Sequence, residues 1–208
     1  MDENSFVKVV HKIHKYDING INSDLPLIIC YNELIVAELL NSALKNKLVL
    51  HFDKTFNTSI YNLSTISYKS NSILARKTGA PALMLGIFLL HKSSCKDVFI
   101  YFFQHLKSLI LSLLSARNIN RSFESLFYIC TDQEKGITSA IKETFANIDM
   151  ILCKKHVTDN IPHNITDKNT VKLLKKLTTC KNQNEFSELK NVILASESFV
   201  GCNSNEKR

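Results

Sequence analysis

The stretch FYICTDQEKGITSAIKETF, residues 127–145, decides how the rest of the chain is read. An apolar run ends abruptly at Thr131-Asp132 and passes Glu134 and Gly136. It resumes with Ile137, Ala140, Ile141 and Phe145 at i, i+3, i+4 and i+8. The switch from a continuous apolar run to a helical stripe predicts a buried strand that delivers a carboxylate at its tip and turns directly into a helix. An aspartate placed there is commonly a helix N-cap or a turn residue. It carries chemistry only if another strand brings a second acid to the same edge.

Upstream, LVLHFDKTF (48–56) alternates, with Leu48, Leu50 and Phe52 on one side and Val49, His51 and Asp53 on the other, as a strand does. Asp53 followed by Lys54 could equally be a paired surface charge. YNLSTISYKS (61–70) and ALMLGIFLLHKS (82–93), the latter fed by the turn Gly79-Ala80-Pro81, predict two more strands. Short connections make these three an antiparallel meander. A helix over about 97–115 leads to a fourth strand, 125–131, and DMILC (149–153) supplies a fifth. Before the meander, residues 1–30 are mixed, with Asn19-Gly20 as a turn signal. Residues 32–45 form a helix with Val36, Leu39, Leu40 and Ala43 on one stripe.

After Pro162 the composition shifts, and residues 154–208 hold ten Lys+Arg against six Asp+Glu. Helices are expected at about 168–178 and 184–195, with a frayed end beyond them. The division that follows is 1–46 as an N-terminal helical or irregular segment, 47–162 as a core, and 163–208 as a helical extension.

Bulk properties narrow the classes. The chain has 208 residues, an ordinary apolar share of 45% and a net charge of +7, a mild tilt toward anionic partners. No short window is dominated by Lys and Arg, so no local nuclear signal is visible. Six scattered cysteines without a CxxC pair fit a reducing compartment. The amino terminus lacks a signal-peptide layout. The apolar run 97–114 carries Gln104, His105 and Lys107 near its middle, which favours a core helix over a membrane span. A soluble intracellular protein is expected.

The order β-β-β-α-β-α-β is the ribonuclease-H-like layout, an α/β fold on a mixed sheet, here with a C-terminal helical extension. In it the first strand lies beside the fourth and parallel to it, so both present their carboxyl ends at one edge. Asp53 and Asp132 would meet there at the strand spacing of about 4.8 Å. Two such carboxylates suit Mg²⁺ or Mn²⁺, the ions that assist phosphoryl transfer.

With these residues in view, FDKTFNTSIYNLSTI, GAPALMLGIFLLHKS, YICTDQEKGITSAIKETF and ILCKKHVTDNI together resemble the Mutator-like (MULE) transposase domain, over about residues 47–162. The resemblance rests on D-x-T-F at 53–56, T-D-x-E at 131–134 and C-x-x-H at 153–156. It implies DNA strand cleavage and transfer by an Asp-Asp-Glu triad holding a divalent metal, and nuclear residence. The first two acids carry over onto Asp53 and Asp132 as catalytic and metal-binding residues. Glu134 matches a family position whose side chain supports the loop. Cys153 and His156 match the C-x-x-H element, half of a tetrahedral zinc site, for which a structural role is expected. DNA is the implied partner, a homo-oligomer is compatible, and no membrane association is expected.

The departures lie at the third acid and at the amino terminus. The family places its glutamate on a helix well beyond C-x-x-H. Here NEFSELKNVIL looks like an early helix of an insertion, and nothing in the context of Glu185 or Glu188 marks either as the triad member. No cysteine–histidine cluster with zinc-finger spacing precedes Asp53. The chain therefore reads as a catalytic core without its DNA reader, or alternatively as an inactive or domesticated derivative that binds DNA or protein.

Overall fold

The computed structural model describes residues 6–18, 21–58, 61–132, 134–165 and 167–195. A hairpin of β1 (Val7–Ile18) and β2 (Ile21–Asn32) leads into α1 (Glu33–Lys45). Then come β3 (Leu48–Thr58), β4 (Tyr61–Leu74), β5 (Pro81–His91), α2 (Lys96–Ala116) and the short α3 (Phe123–Leu126). The chain continues through β6 (Phe127–Thr131), α4 (Lys135–Thr144), β7 (Asp149–Leu152), α5 (Lys154–Asn164), α6 (Lys168–Leu177) and α7 (Gln183–Leu194). Two compact units result, residues 1–151 and 152–208.

In the first unit the strands form one mixed sheet in the order β1-β2-β5-β4-β3-β6-β7. β3 pairs antiparallel with β4 and parallel with β6, and β4 pairs antiparallel with β5, the meander and crossover expected from the sequence. Alternation sorts the two faces. Leu27, Ile29, Leu50, Phe52, Ile66, Ile87 and Leu89 are buried on one face. The helices cover that face: Phe52 packs against Phe99, Phe102 and Phe103 of α2, with ring centroids 5.7, 5.7 and 5.0 Å away. Tyr68 of β4 reaches the Ile35 carbonyl of α1 at 2.9 Å.

α2 is long and apolar enough to cross a membrane. Its packing is that of a core helix, with Val98, Phe99, Phe102, Phe103, Leu106, Ile110 and Leu114 all buried.

The amino-terminal segment differs from the sequence reading. The helix at 33–45 forms, capped by the Asn32 side chain on Leu34 N at 2.9 Å, but residues 7–32 are a hairpin that joins the sheet beside β5. The alternation in VKVVHKIHK is hidden because Lys and His interrupt both faces. One of them, Lys12, lies over the Tyr101 ring of α2 at 4.7 Å while remaining exposed, so a cationic residue stands on the helix-facing side of β1. The strands flank Asn19-Gly20, which lies outside the described residues.

The second unit holds α5, α6 and α7 within its described part. α6 and α7 form where expected. Residues 154–164 form α5, with Pro162 inside its final turn. The Thr158 and Thr178 hydroxyls, 3.3 Å apart, join α5 to the end of α6. The end expected to fray, 199–208, lies outside the described residues.

Candidate active site

The parallel pairing of β3 with β6 runs Leu48–Phe127, Val49–Tyr128, Leu50–Ile129 and His51–Cys130. The pairing ends there; Asp53 and Asp132 each lie two residues beyond the last pair, toward the carboxyl ends of the two strands. Asp53 is still within β3, opposite Thr65 of β4, and is exposed. Asp132 is the first residue past β6 and is half-buried. Its Oδ1 accepts a hydrogen bond from the Glu134 amide at 3.1 Å, an Asx turn that directs the chain into α4. Just inside it, Thr131 is buried, and its Oγ1 has no hydrogen-bond partner among the described residues.

The opposite face of β3 carries the brace. Lys54 follows Leu48, Leu50 and Phe52 in alternation, so it points toward the helices rather than toward Asp53. Its Nζ donates to Ser94 Oγ at 2.9 Å and to Glu134 Oε2 at 3.2 Å. One ammonium therefore ties the strand bearing Asp53 to the turn bearing Asp132, and both to the loop before α2. The Glu134 carbonyl in turn accepts from the Thr138 amide at 3.0 Å and hydroxyl at 3.2 Å, opening α4. The glutamate's carboxylate is committed to Lys54, and the alternative that Asp53 pairs with Lys54 is not what forms.

Beneath Lys54 lies a buried polar chain. His91 Nδ1 donates to the Ser93 carbonyl at 2.7 Å, which leaves Nε2 to accept from Ser64 Oγ at 2.9 Å. Both side chains are fully buried, so this serine–histidine pair braces the loop and has no route to a substrate. Burial pushes the His91 pKa down, the Ser93 hydrogen bond opposes that shift, and Lys54 adds to it. On the aspartate side of the sheet, burial and then the charge of Lys69 lower the pKa of His51. Gly136, in the first turn of α4, lies so close to the Ser94 carbonyl that a Cβ there would sit 2.9 Å from it.

Sequence reasoning missed Lys54, His91 and Gly136. The signal available was parity: a lysine on the buried side of a strand requires a partner.

The remaining candidates lie in the second unit. Glu185 lies in the first turn of α7, which Asn182 caps: the Glu185 amide donates to Asn182 Oδ1 at 2.9 Å, and Glu185 Oε2 accepts from the Lys181 amide at 2.9 Å. Glu188 is exposed on the same helix. Cys153 is the N-cap residue of α5, with no side-chain capping bond. His156 follows in the first turn, its Nδ1 buried without a hydrogen-bond partner among the described residues. Among the described residues, no group of three His, Cys, Asp or Glu is arranged to hold a metal ion. The Thr55 and Phe56 side chains of D-x-T-F, and Gln133 of T-D-x-E, lie outside the described part.

In comparisons with known proteins, the family described as the MULE transposase domain matches residues 49–160, a little over half of the chain. No curated protein matches the chain significantly.

Proposed function

The chain belongs to the MULE transposase domain family, and from that premise we propose that Asp53 and Asp132 are two acids of a metal-dependent centre for DNA strand cleavage and transfer. The observation that carries the proposal is the parallel His51–Cys130 pairing, which leads both aspartates to the same edge of the sheet. The order β5-β4-β3-β6-β7 supports reading the sheet as ribonuclease-H-like, with the β1–β2 hairpin added beside β5.

The donor set fits Mg²⁺ or Mn²⁺, which prefer carboxylate oxygens. Neither aspartate is engaged in an ion pair among the described residues, and the adjacent Lys54 is held by Glu134. A divalent ion held by Asp53 and Asp132 would supply the Lewis acidity that phosphoryl transfer needs. The protein's part is positional. Glu134 N–H orients Asp132, the Lys54–Glu134 pair fixes the turn against β3, and Asp53 stands exposed toward a polynucleotide. Nuclear residence belongs to the same proposal, through its DNA substrate.

A second reading, a fold-retaining protein that binds DNA or protein without cutting, is supported by the lack of a third ligand beside the two aspartates among the described residues. One experiment separates the two. Mn²⁺-dependent nicking of duplex DNA is measured for the wild type, Asp53→Asn and Asp132→Asn, with calorimetric Mn²⁺ titration of each. The catalytic reading expects nicking and Mn²⁺ binding in the wild type and loss of both in either variant. Unchanged nicking in both variants would sink the two-aspartate centre. A folded wild type that binds DNA and never nicks it would establish the second reading.

A further inference from the structure

α6 carries Lys168, Lys172, Lys175 and Lys176 and no acid among its 10 residues. At 3.6 residues per turn these four lysines fall within an arc of about 100°, over a length of about 12 Å. Val171, Leu173, Leu174 and Leu177 occupy the other side and are half-buried, with Thr170 buried among them. All four lysines are exposed, and none takes part in an ion pair among the described residues.

A row of exposed lysines is often only a solvated face, but three features set this one apart. Lys168 is the first residue of the helix, where a cation opposes the helix dipole, so helix stability does not account for it. Two acids of the same unit are engaged elsewhere: Asp167 caps Thr170 N at 2.7 Å, and Glu185 holds Lys181 N at 2.9 Å. Lys168, Lys172 and Lys175 also edge a groove of about 480 Å³ floored by Pro162, Ile165 and Val171. A bilayer surface would require the apolar side of α6 to be free, and outside the groove that side rests against α5 and α7.

We infer that the lysine ridge of α6 is a sequence-independent binding surface for the phosphate backbone of duplex DNA. The inference rests on the proposed DNA substrate and adds which residues grip it, the lysines of α6 rather than the aspartates. Duplex DNA carries one charge per about 1.7 Å of axis, so a ridge of this length meets several phosphates.

The test is the salt dependence of binding between the full chain and a labelled duplex, followed by fluorescence anisotropy. Each phosphate contact contributes about −0.9 to the slope of log K against log salt, so four lysines contribute up to about −3.6. Replacing all four by glutamine should flatten the slope by about 3 to 4 and weaken binding equally on unrelated sequences. Replacing all four by arginine should preserve the slope. Circular dichroism checks the fold, and the single variants Lys168→Gln and Lys172→Gln, each flattening the slope by about 0.9, serve if the quadruple variant does not fold.

A wild-type slope in the glutamine variants overturns the ridge, as does a wild type that binds phosphatidylserine vesicles but no DNA. The catalytic proposal is scored separately. Asp53→Asn and Asp132→Asn should keep the wild-type slope while losing nicking. Retained nicking in those variants, with a flattened slope in the lysine variants, removes the catalytic reading and leaves the ridge.

Discussion

Replacing Gly136 by alanine sets two effects of known size against each other. Alanine gains about 1 kcal/mol over glycine inside a helix, and less in the first turn, where Gly136 sits. Against that, its Cβ would lie 2.9 Å from the Ser94 carbonyl oxygen, 3.7 Å from Phe99 Cε2 and 3.8 Å from Lys96 N. The first contact is with backbone, and Ser94 is itself held by Lys54 through its hydroxyl at 2.9 Å. Phe99 is fully buried, so neither neighbour yields cheaply. Overpacking of this kind costs about 1–3 kcal/mol. The clash wins, and Gly136→Ala should lose about 1–2 kcal/mol, which lowers Tm by roughly 2–8 °C in a chain of this size. Because the strain falls on the loop that Lys54 joins to Glu134, Mn²⁺ affinity should fall as well. Thermal unfolding by circular dichroism and calorimetric Mn²⁺ titration measure the two effects. Gly86→Ala is the control, since its nearest neighbour, the Ile66 carbonyl, is at an ordinary 3.5 Å. A Gly136→Ala protein that melts at or above the wild-type temperature would refute the close-approach argument.

The Lys54–Glu134 pair is about one-third exposed on each side, so Lys54→Met should cost no more than about 1 kcal/mol of stability. Its larger effect should be weaker Mn²⁺ binding, partly restored by exchanging the two residues. An exchange no better than the single variant would show that the brace does not operate as a pair. Stability should also fall on acidification. Burial lowers the pKa values of His91 and His105 in the folded state. The unfolded chain therefore takes up protons first as pH drops through about 6.5, and the contribution present above that pH is lost as pH falls toward the folded values. Urea midpoints at pH 7.5 and 5.5 should differ in that direction, with a slope of up to about 1.4 kcal/mol per pH unit for each histidine. Equal midpoints would count against neutral, buried imidazoles.

What the sequence determined by itself was local. The alternation in LVLHFDKTF and the helical stripe behind Asp132 each reflect a repeat of two or 3.6 residues, and these, like the polar residues within the apolar run 97–114, are visible in a short window. Those repeats set the element types and put an aspartate at the end of two strands. They were blind where a charged residue stands on the helix-facing side of a strand, as the exposed Lys12 does over Tyr101, and so the β1–β2 hairpin went unread. The tertiary structure alone decided what depends on pairing between distant segments. The His51–Cys130 register that aligns the aspartates joins residues 79 positions apart. The choice of Glu134 over Asp53 as the partner of Lys54 follows from which face of β3 meets the helices. The close approach of Gly136 to Ser94 exists only once α4 is seated against the start of α2. Side-chain period is a property of one strand or helix. Register, facing and contact distance belong to pairs of them, set by backbone hydrogen bonds and packing that no single stretch contains.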